Sequence, residues 1–185
     1  MRLPASRRGI SLGTNHVAQI ERQLAMAQQI THVGSWEWEI ATGAVFWSDE
    51  LYRIYGLAPR SREITVEFFL SLLHPDDRET VQRGIAAAIE RGGRFHWLER
   101  ALRPDGSVRA LDTVGEAIRD ATGRVTCLVG TCRDTTDEIE RSRQLRLYED
   151  IFHNVQIGLS VWSVADGAAP DQLTLAAYNL SLIHI

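Results

Sequence analysis

Asp76 and Asp77 are the first residues along this chain whose types and spacing could do chemistry, because adjacent carboxylates can share a proton and act as acid and base. They follow His74-Pro75, however, and a helix start accounts for them: proline suits the first turn, and acids there meet the positive end of the helix dipole. Cys127 and Cys132 could ligate a metal or bridge. They lie five apart in a strand-like stretch, where an odd separation sends side chains to opposite faces. Two reduced, buried cysteines of a cytosolic protein are expected. None of the six histidines stands with a Ser or Cys and an acid in a nucleophile pattern. No catalytic residue and no metal ligand is assigned, and the chain is read as lacking an enzymatic activity of its own. Trp36, Trp38, Phe46, Trp47, Phe95 and Trp97 suit a core, and Trp36, Trp38, Trp47 and Trp97 could line a small apolar pocket.

These side chains need a scaffold, and the composition bounds it. The 185 residues, 44% hydrophobic, fit one domain of common size plus a remainder. A net charge of −4 arises from 24 acidic and 20 basic residues of mixed sign, so no basic stripe marks a nucleic-acid surface. Every basic residue is Arg, which suggests a GC-rich genome. Arg2, Arg7 and Arg8 precede no apolar run, and the longest apolar cluster, Phe68 to Leu73, is broken by Ser71. No signal peptide or membrane span is expected in this segment, and a cytoplasmic location follows.

Residues 1–15 are polar and expected to be disordered. From His16 to about residue 31, Val17, Ile20 and Leu24 fall on one helical stripe. Packing of this amphipathic helix on its own domain is the first expectation, and dimer contact the second. Ser35 to Ile40 alternates with Trp36, Trp38 and Ile40 on one face; Ala41-Thr42-Gly43 turns the chain into Ala44 to Trp47 as a hairpin. Ser48 can cap a short helix closed by Gly56, with Asp49 and Glu50 as its first-turn acids. Thr65 can cap a second, and Pro75 opens a third that ends at Gly92-Gly93. Arg94 to Arg103, Val108 to Arg119 and Val125 to Arg133 form a three-stranded meander across Pro104-Asp105-Gly106 and Ala121-Thr122-Gly123. Thr135 and Glu138 have capping-box spacing for a final helix, in which Leu145, Tyr148, Phe152 and Val155 make a short seam.

In this order, Trp47-Ser48-Asp49-Glu50-Leu51, His74-Pro75-Asp76-Asp77-Arg78, Arg103-Pro104-Asp105-Gly106 and Gly130-Thr131-Cys132-Arg133-Asp134-Thr135-Thr136 closely resemble a PAS domain of bacterial sensor proteins. The resemblance covers about residues 30–143. It implies an α+β fold: a PAS-like five-stranded antiparallel sheet with inserted helices, flanked by N-terminal and C-terminal signalling helices. Asp134 and Thr136 match the Asp-x-Thr element that couples sheet to output helix in this family; Thr135 stands where an aliphatic residue is usual. Arg100, Arg103 and Arg109 are candidates to pair with Asp134, and the expected coupling set is Asp134, Thr136, Arg103 and Arg109.

The expected organisation is an N-terminal helix over 16–31, a PAS domain over 32–134 and a linker helix over 135–156. The start of a truncated second PAS domain follows over 157–179, with strands from Ile157 to Val164 and Leu173 to Asn179. Residues 180–185, Leu-Ser-Leu-Ile-His-Ile, are the translation of a transposon end used as a sequencing adapter, so read-through after Asn179 is expected there. The function implied is sensory: a module from the N-terminal part of a bacterial sensor histidine kinase that relays ligand or partner binding through the Asp134 to Thr136 corner. A diguanylate cyclase or phosphodiesterase parent is the alternative, and a haem or flavin sensor a further one. A flavin adduct would need a Cys on the inserted helices, and haem an axial His on the long helix over 76–91; neither is there. No cofactor is assigned, and an unidentified small ligand stays open. The partners expected are a second copy, through the flanking helices, and an effector domain of the same parent chain.

Overall fold

The computed structural model describes residues 10–154, 160–164 and 173–178, which divide into two units meeting after Thr136. The first unit opens with α1 (Ile10–Thr31). This helix starts six residues before the expected boundary at His16. Its stripe stays in solvent, with Val17 and Leu24 more than half exposed, against the expectation that it packs on its own domain.

β1 (Val33–Glu39) and β2 (Val45–Trp47) form the hairpin, with Trp36 opposite Trp47. Ser48 caps α2 (Asp49–Ile54) by accepting from the amide of Leu51, and Thr65 caps α3 (Val66–Leu72) in the same way. His74 itself caps α4 (Pro75–Arg91), its ring nitrogen accepting from the Asp76 amide. The meander is β3 (Gly93–Leu102), β4 (Val108–Arg119) and β5 (Val125–Asp134). All five strands join one antiparallel sheet in the order β2-β1-β5-β4-β3, so the last strand of the meander inserts beside the first strand of the hairpin.

Period two assigns the faces. Trp36 and Trp38 of β1, Trp97 and Glu99 of β3, Leu111 and Thr113 of β4, and Leu128 and Cys132 of β5 point inward. The helices cover that face, and Leu51, Ile54, Tyr55, Leu73, Val81, Ala101, Leu111 and Cys132 form the main core. Cys132 is buried there, whereas Cys127 is only partly buried on the opposite face, with Sγ 3.5 Å from Glu37 Oε1. The expectation of two buried cysteines therefore holds for Cys132 alone. Phe46, expected in the core, points outward and is 61% exposed, because the inward phase of β2 belongs to Val45 and Trp47.

Glycines set a further constraint. Trp36 lies opposite Gly130, Gly130 opposite Gly115, and Gly115 opposite Phe95. A Cβ at Gly130 would stand 2.5 Å from the Trp36 ring, and one at Gly115 2.4 Å from Phe95. The two bare positions let both rings lie across the sheet and stack, with centroids 6.0 Å apart.

The second unit contains α5 (Thr136–Asn154) and an antiparallel pair, β6 (Ser160–Val164) and β7 (Leu173–Tyr178). The seam residues Leu145 and Tyr148 are 64% and 69% exposed. The expected disordered start, Val155 of the seam and the adapter-like tail lie wholly or partly outside the described residues. Among the described residues, no helix is long and apolar enough to cross a membrane.

Candidate functional site

Between the inner sheet face and α2, α3 and α4 lies a cavity of about 50 Å³. All four tryptophans expected to line a pocket do so: Trp36, Trp38, Trp47 and Trp97. Trp47 stacks on Tyr55 with centroids 4.7 Å apart, and Trp97 on Phe95 at 4.7 Å and 8° between planes. Rigid, mutually stacked rings make walls that hold their shape.

One ionisable group stands in this wall. Glu99 is 3% exposed, and its Oε1 accepts from the Tyr55 and Thr113 hydroxyls, both at 3.1 Å. Among the described residues, Glu99 Oε2 and the indole nitrogens of Trp38 and Trp97 find no hydrogen-bond partner. Burial pushes the Glu99 carboxyl up to about 7, while the Thr113 and Tyr55 hydroxyls and the Trp97 indole hold it back. Burial and the nearby Glu99 in turn push the Tyr55 phenol and the Cys132 thiol well up. Sequence reading missed Glu99. The signal was present: it continues the inward phase Phe95, Trp97, Glu99, Ala101, where a carboxylate is out of place.

The second cluster is the corner where β5 ends. Asp134 accepts from the Thr136 amide at 3.0 Å and from the Thr136 hydroxyl at 2.6 Å. The same carboxylate lies 3.6 Å from Arg103 and 3.9 Å from Arg109, so the structure brings the four expected coupling residues together. Arg103 also donates to the Ile54 carbonyl at the end of α2. Burial and then Arg109 hold the Arg103 guanidinium below its ordinary value, and Asp134 and Asp105 oppose them. Thr136 Oγ1 accepts from the Ala110 amide of β4, and the Asp134 amide donates to the His32 carbonyl ahead of β1. The Thr135 hydroxyl donates to the Ala110 carbonyl, and Asp134 meets the helix start instead of the expected Thr135 cap.

Arg100 does not reach Asp134. It binds Asp77 through its backbone amide, Nε and Nη2, at 2.7–2.9 Å. This bidentate pair ties the start of α4 to β3, and hydrogen bonds from Arg100 hold the Asp77 carboxyl below the usual range. Asp77 therefore does more than start a helix. Glu50 does too: it is 4% exposed and pairs with Arg53 and His32. Among the described residues, no cluster of His, Cys, Asp and Glu is arranged to hold a metal.

Residues 44–132 match the family described as the PAS fold. The sensor protein FixL of Bradyrhizobium diazoefficiens is 32% identical over 123 residues, or 66% of this chain, and the match spans 24% of that relative. The crystal structure of a sensory box histidine kinase/response regulator from Burkholderia thailandensis superposes with a TM-score of 0.55 at 27% identity, covering 69% of this chain and 95% of that one. The N-terminal domain of a diguanylate cyclase with PAS/PAC sensor from Marinobacter aquaeolei gives 0.54 at 26% identity, covering 58% and 98%. The chain thus spans about a quarter of the length of FixL.

Proposed function

This chain carries a PAS domain, and from that premise we propose that its signalling-sensor role is exercised by relaying occupancy of the tryptophan-lined cavity through the Asp134 corner into α5. The observation that carries the reading is the convergence on one carboxylate. Asp134 binds the first residue of α5, two arginines and, through its amide, the segment before β1. A shift of β5 against β4 or α2 has to break or re-aim one of these bonds, and each is made by a residue two positions before the helix start.

The parent is a sensor histidine kinase in this reading, which the likeness to FixL and to the Burkholderia protein supports. A diguanylate cyclase parent is the second reading, supported by the Marinobacter domain. The protein works in the cytoplasm as a homodimer, for which the exposed stripes on α1 and α5 are suitable surfaces. β6 and β7, within the segment 157–179, begin a second PAS domain. Asp134→Ala in the full-length parent tests the relay: its autophosphorylation, or its cyclase output, changes severalfold while the near-ultraviolet signal of the cavity-lining tryptophans persists. Unchanged output in a folded variant overturns it.

A further inference from the structure

We propose that the proton on Glu99 is a second input to the Asp134 corner: its loss draws Tyr55 toward β3, and the peptide between Ile54 and Tyr55 passes that movement to Arg103 and Asp134. This names a regulation of the relay described above and rests on the corner being its exit. The route is a run of bonds between residues far apart in the chain. The Tyr55 hydroxyl donates to Glu99 Oε1 at 3.1 Å. The Ile54 carbonyl, in the peptide that joins it to Tyr55, accepts from Arg103 Nε at 2.8 Å. Arg103 in turn lies 3.6 Å from Asp134, which holds Thr136 at the head of α5. Little along this route is free to give. Tyr55 is 2% exposed, and Gly56 lies so close to the Arg103 stem that a Cβ there would stand 3.0 Å from it. Closely packed groups pass on a displacement that solvated ones absorb.

The geometry around Glu99 supplies the movement. The Tyr55 and Thr113 hydroxyls both converge on Oε1 at 3.1 Å, and among the described residues Oε2 has no hydrogen-bond partner. A neutral acid tolerates that arrangement, whereas a carboxylate leaves part of its charge buried on Oε2 without a donor. Hydroxyl bonds to a charged oxygen shorten to roughly 2.5–2.7 Å, so ionisation draws the Tyr55 hydroxyl in by about 0.4 Å. The surrounding elements do not relieve the charge in another way. α2 brings Tyr55 and β5 brings Cys132, both kept neutral because burial and Glu99 push them up. β4 brings Thr113, α3 brings Val66 and Phe69 to the cavity, and α4 brings Asp77, whose negative charge opposes ionisation and is tied to Arg100. The Glu99 carboxyl stands at about 7, so both of its forms are populated at neutral pH. The Tyr55 ring also stacks on Trp47 in the cavity wall, which puts the proton and a cavity occupant in contact with the same side chain.

The test uses the 185-residue chain with its glutamate carboxyl carbons and its backbone and arginine nitrogens labelled for NMR, followed from about pH 5.5 to about pH 8.5. The Glu99 carboxyl titrates near pH 7, and the Arg103 Nε and Thr136 amide resonances shift with the same midpoint. Glu99→Gln, which keeps an acceptor for both hydroxyls, removes that shared midpoint from the corner. Tyr55→Phe breaks the bridging bond. Glu99 then still titrates, with a higher midpoint because a donor to its charged form is gone, and the corner shifts fall at least twofold. If Glu99→Gln fails to fold, Tyr55→Phe carries the test. Three results overturn the proposal: a Glu99 carboxyl that keeps one state throughout; corner resonances that do not follow it, or that follow pH equally in Glu99→Gln, as a group such as His32 ahead of β1 would cause; or undiminished corner shifts in Tyr55→Phe. These outcomes are read on the purified chain and the cavity relay on parental output, so either can fail while the other stands.

Discussion

Glu99 is the residue whose environment departs furthest from its chemistry, and its position predicts how stability changes with pH. Its carboxyl stands at about 7 in the folded chain against an ordinary 4.5. The folded state therefore holds a proton over this window that the unfolded state has lost. Stability linked to Glu99 is fully present below about 4.5 and falls as pH rises through 7, by about 3 kcal/mol. Thr113, Tyr55, Trp97 and Asp77 act on the carboxyl, and the Tyr55 and Cys132 groups stay neutral through this range because theirs are pushed up. Unfolding in urea at pH 5 and pH 8 measures the difference. Glu99→Gln, which keeps an acceptor for Tyr55 and Thr113, flattens that dependence; an unchanged slope in the variant means another group titrates. The inward phase of Glu99 was legible in the sequence, as were the four pocket tryptophans. That Tyr55, 44 residues earlier, would supply its hydroxyl was not, because the α2 to β3 contact depends on long-range packing.

At the level of elements, local signals placed the helix starts and strands because each has its own stop: Ser48, Thr65 and Pro75 before helices, and Asp105-Gly106 and Thr122-Gly123 between strands. Lateral contacts were less accessible. The meander could be read from short turns, but insertion of β5 beside β1 closes a loop of about 90 residues whose register only side-chain fit decides. The glycine row is part of that fit. Trp36 can cross β5 because Gly130 has no side chain, and a Cβ there would also stand 2.3 Å from the Val114 carbonyl oxygen. Gly130→Ala is expected to cost about 1–3 kcal/mol, as overpacking does, and to weaken the Trp36–Phe95 stack. Denaturant unfolding and the near-ultraviolet signal check both effects; a neutral change shows that the strands separate without loss. The same limit explains Arg100. Three arginines on two strands were equivalent in the sequence, and register gave Arg100 to Asp77 and the other two to Asp134.

Across the molecule, the first unit contains both core clusters, the cavity and the corner, and closes on itself at Thr136. Its last three residues hold the fold together: Asp134 stands beside two partly buried arginines, and Thr135 and Thr136 bond to both backbone groups of Ala110. Chain ends on either side of this corner should therefore differ sharply. A chain ending at Thr136 unfolds cooperatively within a few degrees of the 185-residue chain, because every bond of the corner is retained. One ending at Arg133 leaves Arg103 and Arg109 without that carboxylate and Ala110 without its side-chain partner, a loss of about 2 kcal/mol, or roughly 6–10 °C for a domain of this size. Thermal unfolding of the three chains by circular dichroism makes the comparison. If the Thr136 chain is as weak as the Arg133 chain, the domain draws its stability from residues 137 onward and the corner is no boundary. If all three melt together, the Asp134 bonds contribute nothing to the fold.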